Sequence, residues 1–420
     1  ANNAAAMWRL QGPVRAELVQ AALDAICARH DQLRTRFAVV DGARVQVIEP
    51  GARVVLGRAT LADVPVAERE AALVRFAEAH SEVPFDPGVA PLFRGWLVEF
   101  APDDVALVTV RHRLIWDGWS FDLFLHEFGE HYAALAEGRE PAVPALPVSY
   151  GDFAEWQRAW VGTPAAARQV AWWRERLDGD LPVLALPTDR PRPAQPTYQG
   201  GRVVLRLADA ELARVQALAL ARGATVFQLC LAAYVALLHR HSGQRDLLVG
   251  TPVRARTRPE LEPLIGPFVN TVPLRLQVDP SLSFAALLAQ VRDRTLDAFG
   301  HQEMPFELLG DRQPVLRALF SLQDVRTRPL QVGPLALSQV HAAQHTATND
   351  LMLWTMQHDD HLLAVLNYSA DLFDRATADA FLGQWRTLLL DALDDAERPV
   401  GALRLMSALE RARLVGAPPE

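Results

Sequence analysis

Val110-Arg111-His112-Arg113-Leu114-Ile115-Trp116-Asp117-Gly118-Trp119-Ser120 is the stretch whose reading decides the fold. It begins where the alternation of Val105, Leu107 and Thr109 runs out, and a helical pattern (Phe121, Phe124, Leu125, Phe128) follows at once. Alternation with period two predicts a strand, and apolar spacing of three and four predicts a helix. Basic groups, an Asp-Gly pair and two tryptophans are thus gathered at a strand-to-helix switch. Such a switch projects side chains out of a scaffold, where functional groups tend to sit.

Upstream, Phe93–Phe100 alternates, Pro102-Asp103-Asp104 turns, and Val105–Arg111 pairs back as a hairpin. Further back lie a strand over Ala6–Leu10, a helix opened by Pro13, a hairpin of Phe37–Val40 and Val45–Ile48 about Asp41-Gly42, a strand near Val54, and a helix over Val64–His80. Downstream, the helix from Phe121 runs to about Glu137. Ser149 and Asp152 cap a helix carrying Phe153, Trp156 and Trp160, and another spans about Pro164–Leu177. Leu181–Gln199 holds five prolines and reads as a connector between lobes. The second half predicts strands at Val203–Leu207, Asp246–Val253, Thr271–Leu276, Ala318–Asp324, Leu351–Met356 and Leu362–Tyr368. Its helices are Ala210–Arg222, Thr225–His239, Phe284–Phe299 and Ala376 to about Leu393. Antiparallel strands mixed with helices predict an α+β fold. A chain of 420 residues exceeds one core, so two lobes are expected, residues 1–180 and 181–420, with a cleft between them.

Composition narrows the function. Half the residues are apolar and 22% are charged, as in a soluble globular protein. A net charge of -8 argues against nucleic-acid binding. Cys27 and Cys230 lie far apart in apolar helical runs and read as buried free thiols, which suits a cytoplasmic protein. The apolar runs fall short of the ~20 residues a membrane helix needs. A chain that opens on Ala without a leader is expected to be a segment of something longer. There is no glycine-rich phosphate loop, no zinc-spaced Cys/His set, so no metal is expected, and no nucleophile elbow. His239 and His241 read as solvated at a helix end. Arg254, Arg256 and Arg258 read as a solvated basic loop or as a contact for an acidic partner.

Several stretches together resemble one family. His112-Arg113-Leu114-Ile115-Trp116-Asp117-Gly118 resembles the His-His-x-x-x-Asp-Gly motif of nonribosomal peptide synthetase condensation domains, shared with chloramphenicol acetyltransferase. His30–Phe37 resembles the family's Arg-His-x-x-Leu-Arg-Thr segment, and Ser149–Trp156 its Tyr-x-Asp-(aromatic)-x-x-Trp helix start. Gly266–Thr271 is similar to its Gly-x-Phe-Val-Asn-Thr segment, and His301–Glu307 to its His-Gln-x-x-Pro-Phe-Glu segment. These stretches follow in family order, which makes the resemblance specific. The resemblance implies two acetyltransferase-like lobes in a V-shaped pseudo-dimer with a central tunnel. Donor and acceptor carrier domains dock on opposite faces and present substrates on phosphopantetheine arms, and the domain itself holds no cofactor. The partners it implies are those carriers, adjacent synthetase domains and, for variants with His-Arg in the motif, a cytochrome oxygenase that tailors the bound peptide. Neither nucleic acid nor membrane is implied.

Aminolysis of a thioester needs alignment, removal of a proton and support for the oxyanion. The family credits the second motif His with proton handling or amine positioning, and here that position is Arg113. A guanidinium with a pKa above ~12 is no base at neutral pH, although it can donate hydrogen bonds. His112 is no spare, because neighbours on a strand face opposite ways. Condensation is therefore expected to be atypical or impaired. The resemblance gives Asp117 a structural role, paired with Arg34. Gly118 is expected where φ is positive or backbones approach closely. Trp116 and Trp119 read as core packing from the residues alone; the resemblance sets Trp119 along the substrate tunnel. Ser120 caps the following helix and can border the tunnel. Asn270 is either a turn residue or a tunnel-lining amide, and His301 is structural.

Overall fold

The computed structural model describes residues 3–312, 314–325, 331–340, 346–406 and 411. The strands of the first half are β1 (Asn3–Gln11), β2 (Thr35–Val40), β3 (Ala43–Ile48), β4 (Leu56–Thr60), β5 (Phe93–Ala101) and β6 (Asp104–His112). Those of the second half are β7 (Gly200–Leu207), β8 (Asp246–Val253), β9 (Asn270–Gln277), β10 (Ala318–Asp324), β11 (Gln331–Val332), β12 (Leu335–Val340), β13 (Leu351–Gln357) and β14 (Leu362–Ser369). The helices are α1 (Ala16–Arg29), α2 (Arg69–Glu82), α3 (Gly118–Glu137), α4 (Tyr150–Val161), α5 (Pro164–Arg176), α6 (Asp209–Ala221), α7 (Val226–Ser242), α8 (Phe284–Phe299) and α9 (Arg375–Asp394). The α+β class expected from the sequence is what forms.

The chain divides into two compact units, neither of them contiguous. The first is Ala1–Thr163 with Arg254–Val269 and Thr327–Ala343; the second is Pro164–Val253, Asn270–Arg326 and Gln344–Glu420. This differs from the contiguous split at residue 180, for packing reasons. The α5 helix belongs to the second unit, where Trp173 is buried and donates its indole N–H to the His301 carbonyl. Two later segments return to the first unit. Strand β12 pairs antiparallel with β1, from Met7 opposite Val340 to Gln11 opposite Ala336, and its Leu335 and Leu337 enter the first core. Ile265 joins the same core. The sequence reading has no strand between Asp324 and Leu351, although Leu335 and Leu337 alternate with exposed neighbours.

The first unit carries the sheet β11-β12-β1-β6-β5-β4, antiparallel apart from the β4–β5 pair. Residues alternate between its faces. Trp8, Leu10, Val105 and Leu107 pack on one side against α1 and α3; Met7, Val98, Ala106 and Val108 pack on the other against α2. Hairpin β2–β3 forms a separate ribbon. The second unit has the sheet β7-β14-β13-β10-β8-β9, with β10 parallel to both neighbours. Every residue from Leu229 to Leu238 of α7 is fully buried, so this helix is apolar all round because it is covered all round.

Burial also corrects the reading of α7's end. His239 is buried and its Nδ1 lies 2.7 Å from the Gln244 carbonyl. The His241 ring pairs with Gln384 at 2.6 Å, and burial lowers its pKa. Both thiols are buried and free, and desolvation raises Cys27 to about 11 and Cys230 to about 12. Among the described residues, no single helix is long and apolar enough to cross a membrane.

Candidate functional site

The site is built from the end of β6 outward. Arg111 shares a face with Leu107 and Thr109 and is fully buried. Its cross-strand neighbour on β1 is Ala4, and Thr109 faces Ala6, so small residues leave a lane along the sheet. The arginine lies back along that lane. Its Nη1 donates to Thr109 Oγ1 at 3.1 Å, and its Cζ sits 3.7 Å from the Phe121 ring centroid and 5.2 Å from that of Trp116. No ion pair to Arg111 exists among the described residues, and desolvation lowers its pKa well below the ordinary value. The π faces of Phe121 and Trp116 offset only part of the cost of burying that charge.

His112 points to the opposite face, edge-on to Phe85 at 6.3 Å. Its Nδ1 accepts the Leu114 N–H at 3.2 Å and so caps the short 3-10 turn Arg113–Ile115. That bond requires a bare Nδ1, which a doubly protonated imidazole lacks. Burial first, and the charge of Arg113 second, lower its pKa and favour this neutral form. Arg113 is exposed at the start of the turn. Its guanidinium makes no ion pair or hydrogen bond among the described residues. The two motif positions therefore face different ways, and the imidazole of His112 is already engaged.

Asp117 is the N-cap of α3. Its Oδ1 accepts from the Ser120 N–H at 2.8 Å and the Ser120 hydroxyl at 2.7 Å. Its Oδ2 accepts from Arg256 Nη1 at 2.7 Å and the Phe268 N–H at 3.1 Å. The pair is closed to solvent, with side chains 3% and 0% exposed. Arg256 Nη2 also reaches the carbonyl of Leu264 at 3.0 Å, and its guanidinium lies 4.1 Å from the Phe268 ring centroid. The Asp117 carboxylate is thus fully engaged in the scaffold, and its partner is Arg256 and not Arg34. Arg34 serves the end of α1 instead, donating to the Cys27 carbonyl at 2.9 Å and the Ala28 carbonyl at 3.2 Å and pairing with Asp31. Those carbonyls lack intrahelical partners and capture the guanidinium locally. Arg256 is likewise no solvated loop residue. Its neighbours Arg254 and Arg258 stay at the surface, over Trp119 at 4.0 Å and Trp156 at 4.5 Å.

The remaining candidates divide by burial. Ser120 is fully buried; besides Asp117, its hydroxyl accepts the Gly266 N–H at 3.0 Å. Trp119 is half-buried and donates to the Glu262 carbonyl at 3.1 Å. Gly118 has neither a positive φ nor a close neighbour: an added Cβ would meet nothing within 4 Å, so the expected backbone demand is absent. Asn270 is a loop staple within the second unit. Its Nδ2 donates to the carbonyls of Gln302 at 3.0 Å and Met304 at 2.6 Å, and its Oδ1 accepts from the Thr271 and Phe306 N–H groups at 2.9 and 3.2 Å. His301 stacks on Trp172 at 3.8 Å.

Sequence reasoning missed a buried cluster beside the motif. His30 is 2% exposed and lies 2.8 Å from Glu127 through Nε2, while its Nδ1 accepts the Ile265 N–H at 3.3 Å. Arg29 donates to the same carboxylate at 3.0 Å. Burial raises the pKa of Glu127, but the hydrogen bond and charge of His30, then Arg29, outweigh it and leave it lowered. The signal was available: Glu127 falls among core positions of α3, and a buried carboxylate requires partners. A cavity of 310 Å³ borders this cluster, lined by Arg29, His30, Gln32, Tyr150 and Ile265 among others. Among the described residues, no group of three or more His, Cys, Asp or Glu could hold a metal ion.

Strand β6 thus ends on His112, Arg113 opens the turn that follows, and the buried Asp117–Arg256 pair fixes the start of α3. The chain belongs to the condensation-domain family, whose model matches residues 1–415. It is 35% identical over 418 residues to one of the linear gramicidin synthase proteins of Brevibacillus parabrevis, covering 97% of this chain and 5% of that protein. The chain thus spans a small part of that relative. Among solved structures, it is similar to the X-domain from teicoplanin biosynthesis, with a TM-score of 0.85, 26% identity and coverage of 97% and 93% of the two chains. The complex of the X-domain and OxyB from teicoplanin biosynthesis gives a TM-score of 0.83, 27% identity and coverage of 97% and 92%.

Proposed function

We propose that this is a condensation-type domain of a nonribosomal peptide or hybrid polyketide–peptide synthetase in which amide formation is impaired. The reaction would join a carrier-bound acyl or peptidyl donor to a carrier-bound aminoacyl acceptor. The amine nitrogen attacks the thioester carbon, the C–S bond breaks, the thiol leaves, and the nitrogen loses a proton. Arg113 carries the reading: a guanidinium that is exposed, and unpaired among the described residues, stands where the family has its second motif histidine. It cannot take the amine proton, although it can donate to a developing oxyanion. His112 cannot substitute, because its Nδ1 caps the turn and it faces the other way. Trp119, half-buried, remains a tunnel-side candidate in this reading, while Ser120 and Asn270 support it by holding loops. The domain binds no cofactor of its own; carrier phosphopantetheine arms bring the substrates. It works in the cytoplasm among adjacent synthetase domains.

A second reading is favoured by the two X-domain structures. One of them is a complex with OxyB, and this chain shares 27% identity with it. On that reading the scaffold is catalytically silent and recruits a tailoring oxygenase. The test is to load donor and acceptor on carrier domains and to follow the amide product by mass spectrometry. The expected result is little product from the native chain and a rise of about 10²-fold in Arg113→His, within the range of one positioned acid–base group. No product from either form, with measurable binding of a tailoring oxygenase, selects the platform. Ready product that is lost in Arg113→Ala contradicts both.

A further inference from the structure

The turn that carries Arg113 is only three residues long, Arg113–Ile115, and two of them are exposed. A turn this short does not hold its own geometry. Yet both peptide groups of Leu114, the residue after Arg113, are tied to side chains. His112 Nδ1 accepts its N–H at 3.2 Å, and Gln32 Nε2 donates to its carbonyl at 3.1 Å. Gln32 is 2% exposed and stands in a second 3-10 turn, Asp31–Arg34, at the end of α1. That turn is itself held on both sides. His30 before it links Glu127 to the Ile265 N–H, and Arg34 within it donates to the Cys27 and Ala28 carbonyls. Gln32 is therefore a rigid arm reaching from a braced turn to an otherwise exposed one.

We propose that Gln32 is a positioning residue for the second motif position, fixing the direction in which residue 113 points. The proposal rests on the reading above only where it concerns rate; the orientation itself is independent of chemistry. A lost donor would leave the Leu114 carbonyl free to rotate and the turn free to sample other conformers. Misplacement by about 1 Å suffices to cost a reaction about 10²-fold.

The experiment uses the full chain carrying Arg113→His, because an imidazole at that position reports on its own surroundings. Gln32→Met keeps the volume and removes the donor; Gln32→Ala removes both. The histidine Cε1–H resonances are titrated by NMR with and without each change, and amide formation from loaded carriers is measured alongside. The expected result is a shifted, broadened imidazole signal for position 113 with an altered titration midpoint, and kcat lower by about tenfold with KM within about twofold. An unchanged signal, midpoint and kcat in both variants overturns the proposal, and so does unfolding of both, which would make Gln32 a folding residue. If Arg113→His yields no amide at all, the functional reading fails, while the NMR titration still decides the role of Gln32.

Discussion

The two ends of the seven-residue motif are built differently. At the Asp117 end the carboxylate takes two backbone N–H groups, a hydroxyl and a guanidinium, all closed to solvent. At the Arg113 end the cation is exposed and unpaired among the described residues, on a turn held through its neighbour's peptide groups. The difference teaches that scaffold and chemistry are separable here. The contacts that set the α3 start are closed in full, while position 113, the proton-handling position in the proposed function, carries a guanidinium.

Four changes test that contrast, beginning with the largest effect. Asp117→Ala strands the Arg256 charge, and loss of one partner from such a buried pair costs about 3–5 kcal/mol. Denaturant unfolding should show that loss, and the double change with Arg256→Met should cost less than the sum of the two single changes. Additivity would mean that the pair is not coupled.

The next effect is smaller and depends on pH. His112 has a lowered folded pKa, so below its unfolded value of about 6.5 the unfolded chain binds the proton more tightly and stability falls with pH. His112→Ala should lose the capping bond, about 1 kcal/mol, and flatten the stability curve below about pH 6.5. An unaltered slope would show that the imidazole is not held neutral. Glu127 acts over a more acidic window: its lowered pKa gives stability that is present above about pH 4.3 and lost as pH falls through the folded value.

Arg111→Met comes third. Replacing a buried charge that lacks a carboxylate by an apolar side chain of similar length should leave the melting temperature unchanged or raised. A loss above about 2 kcal/mol would show that the Phe121 and Trp116 faces compensate the cation fully. The smallest effect belongs to Arg113→Ala, which should alter stability by no more than about 0.5 kcal/mol, because the side chain is exposed.

Much of the architecture was legible in the sequence, because period-two and period-3.6 patterns report local structure directly. The hairpin of β5 and β6, the Ser149 capping box and the apolar run of α7 all follow from such patterns. Strand β12 was not legible, since a six-residue segment carries little signal until β1 supplies a partner. Arg256 was missed for a related reason. It sits in a proline- and arginine-rich segment that reads as solvated, and its burial arises only when Leu261, Leu264, Ile265 and Phe268 pack into the first unit. The choice between Arg34 and Arg256 depended on three-dimensional closure across 139 residues. The proposed loss of the base at position 113, by contrast, rests on the residue itself.

The most direct test of that loss is the pH dependence of single-turnover amide formation by the native chain and by Arg113→His, using the same loaded carriers. The ratio of the two rates should lie near one where an imidazole is protonated. It should rise through a midpoint near about pH 6.5 to a plateau, because only the histidine form gains a titrating base. A ratio near one across the whole range, or a native chain that already shows that ionisation, would contradict the account.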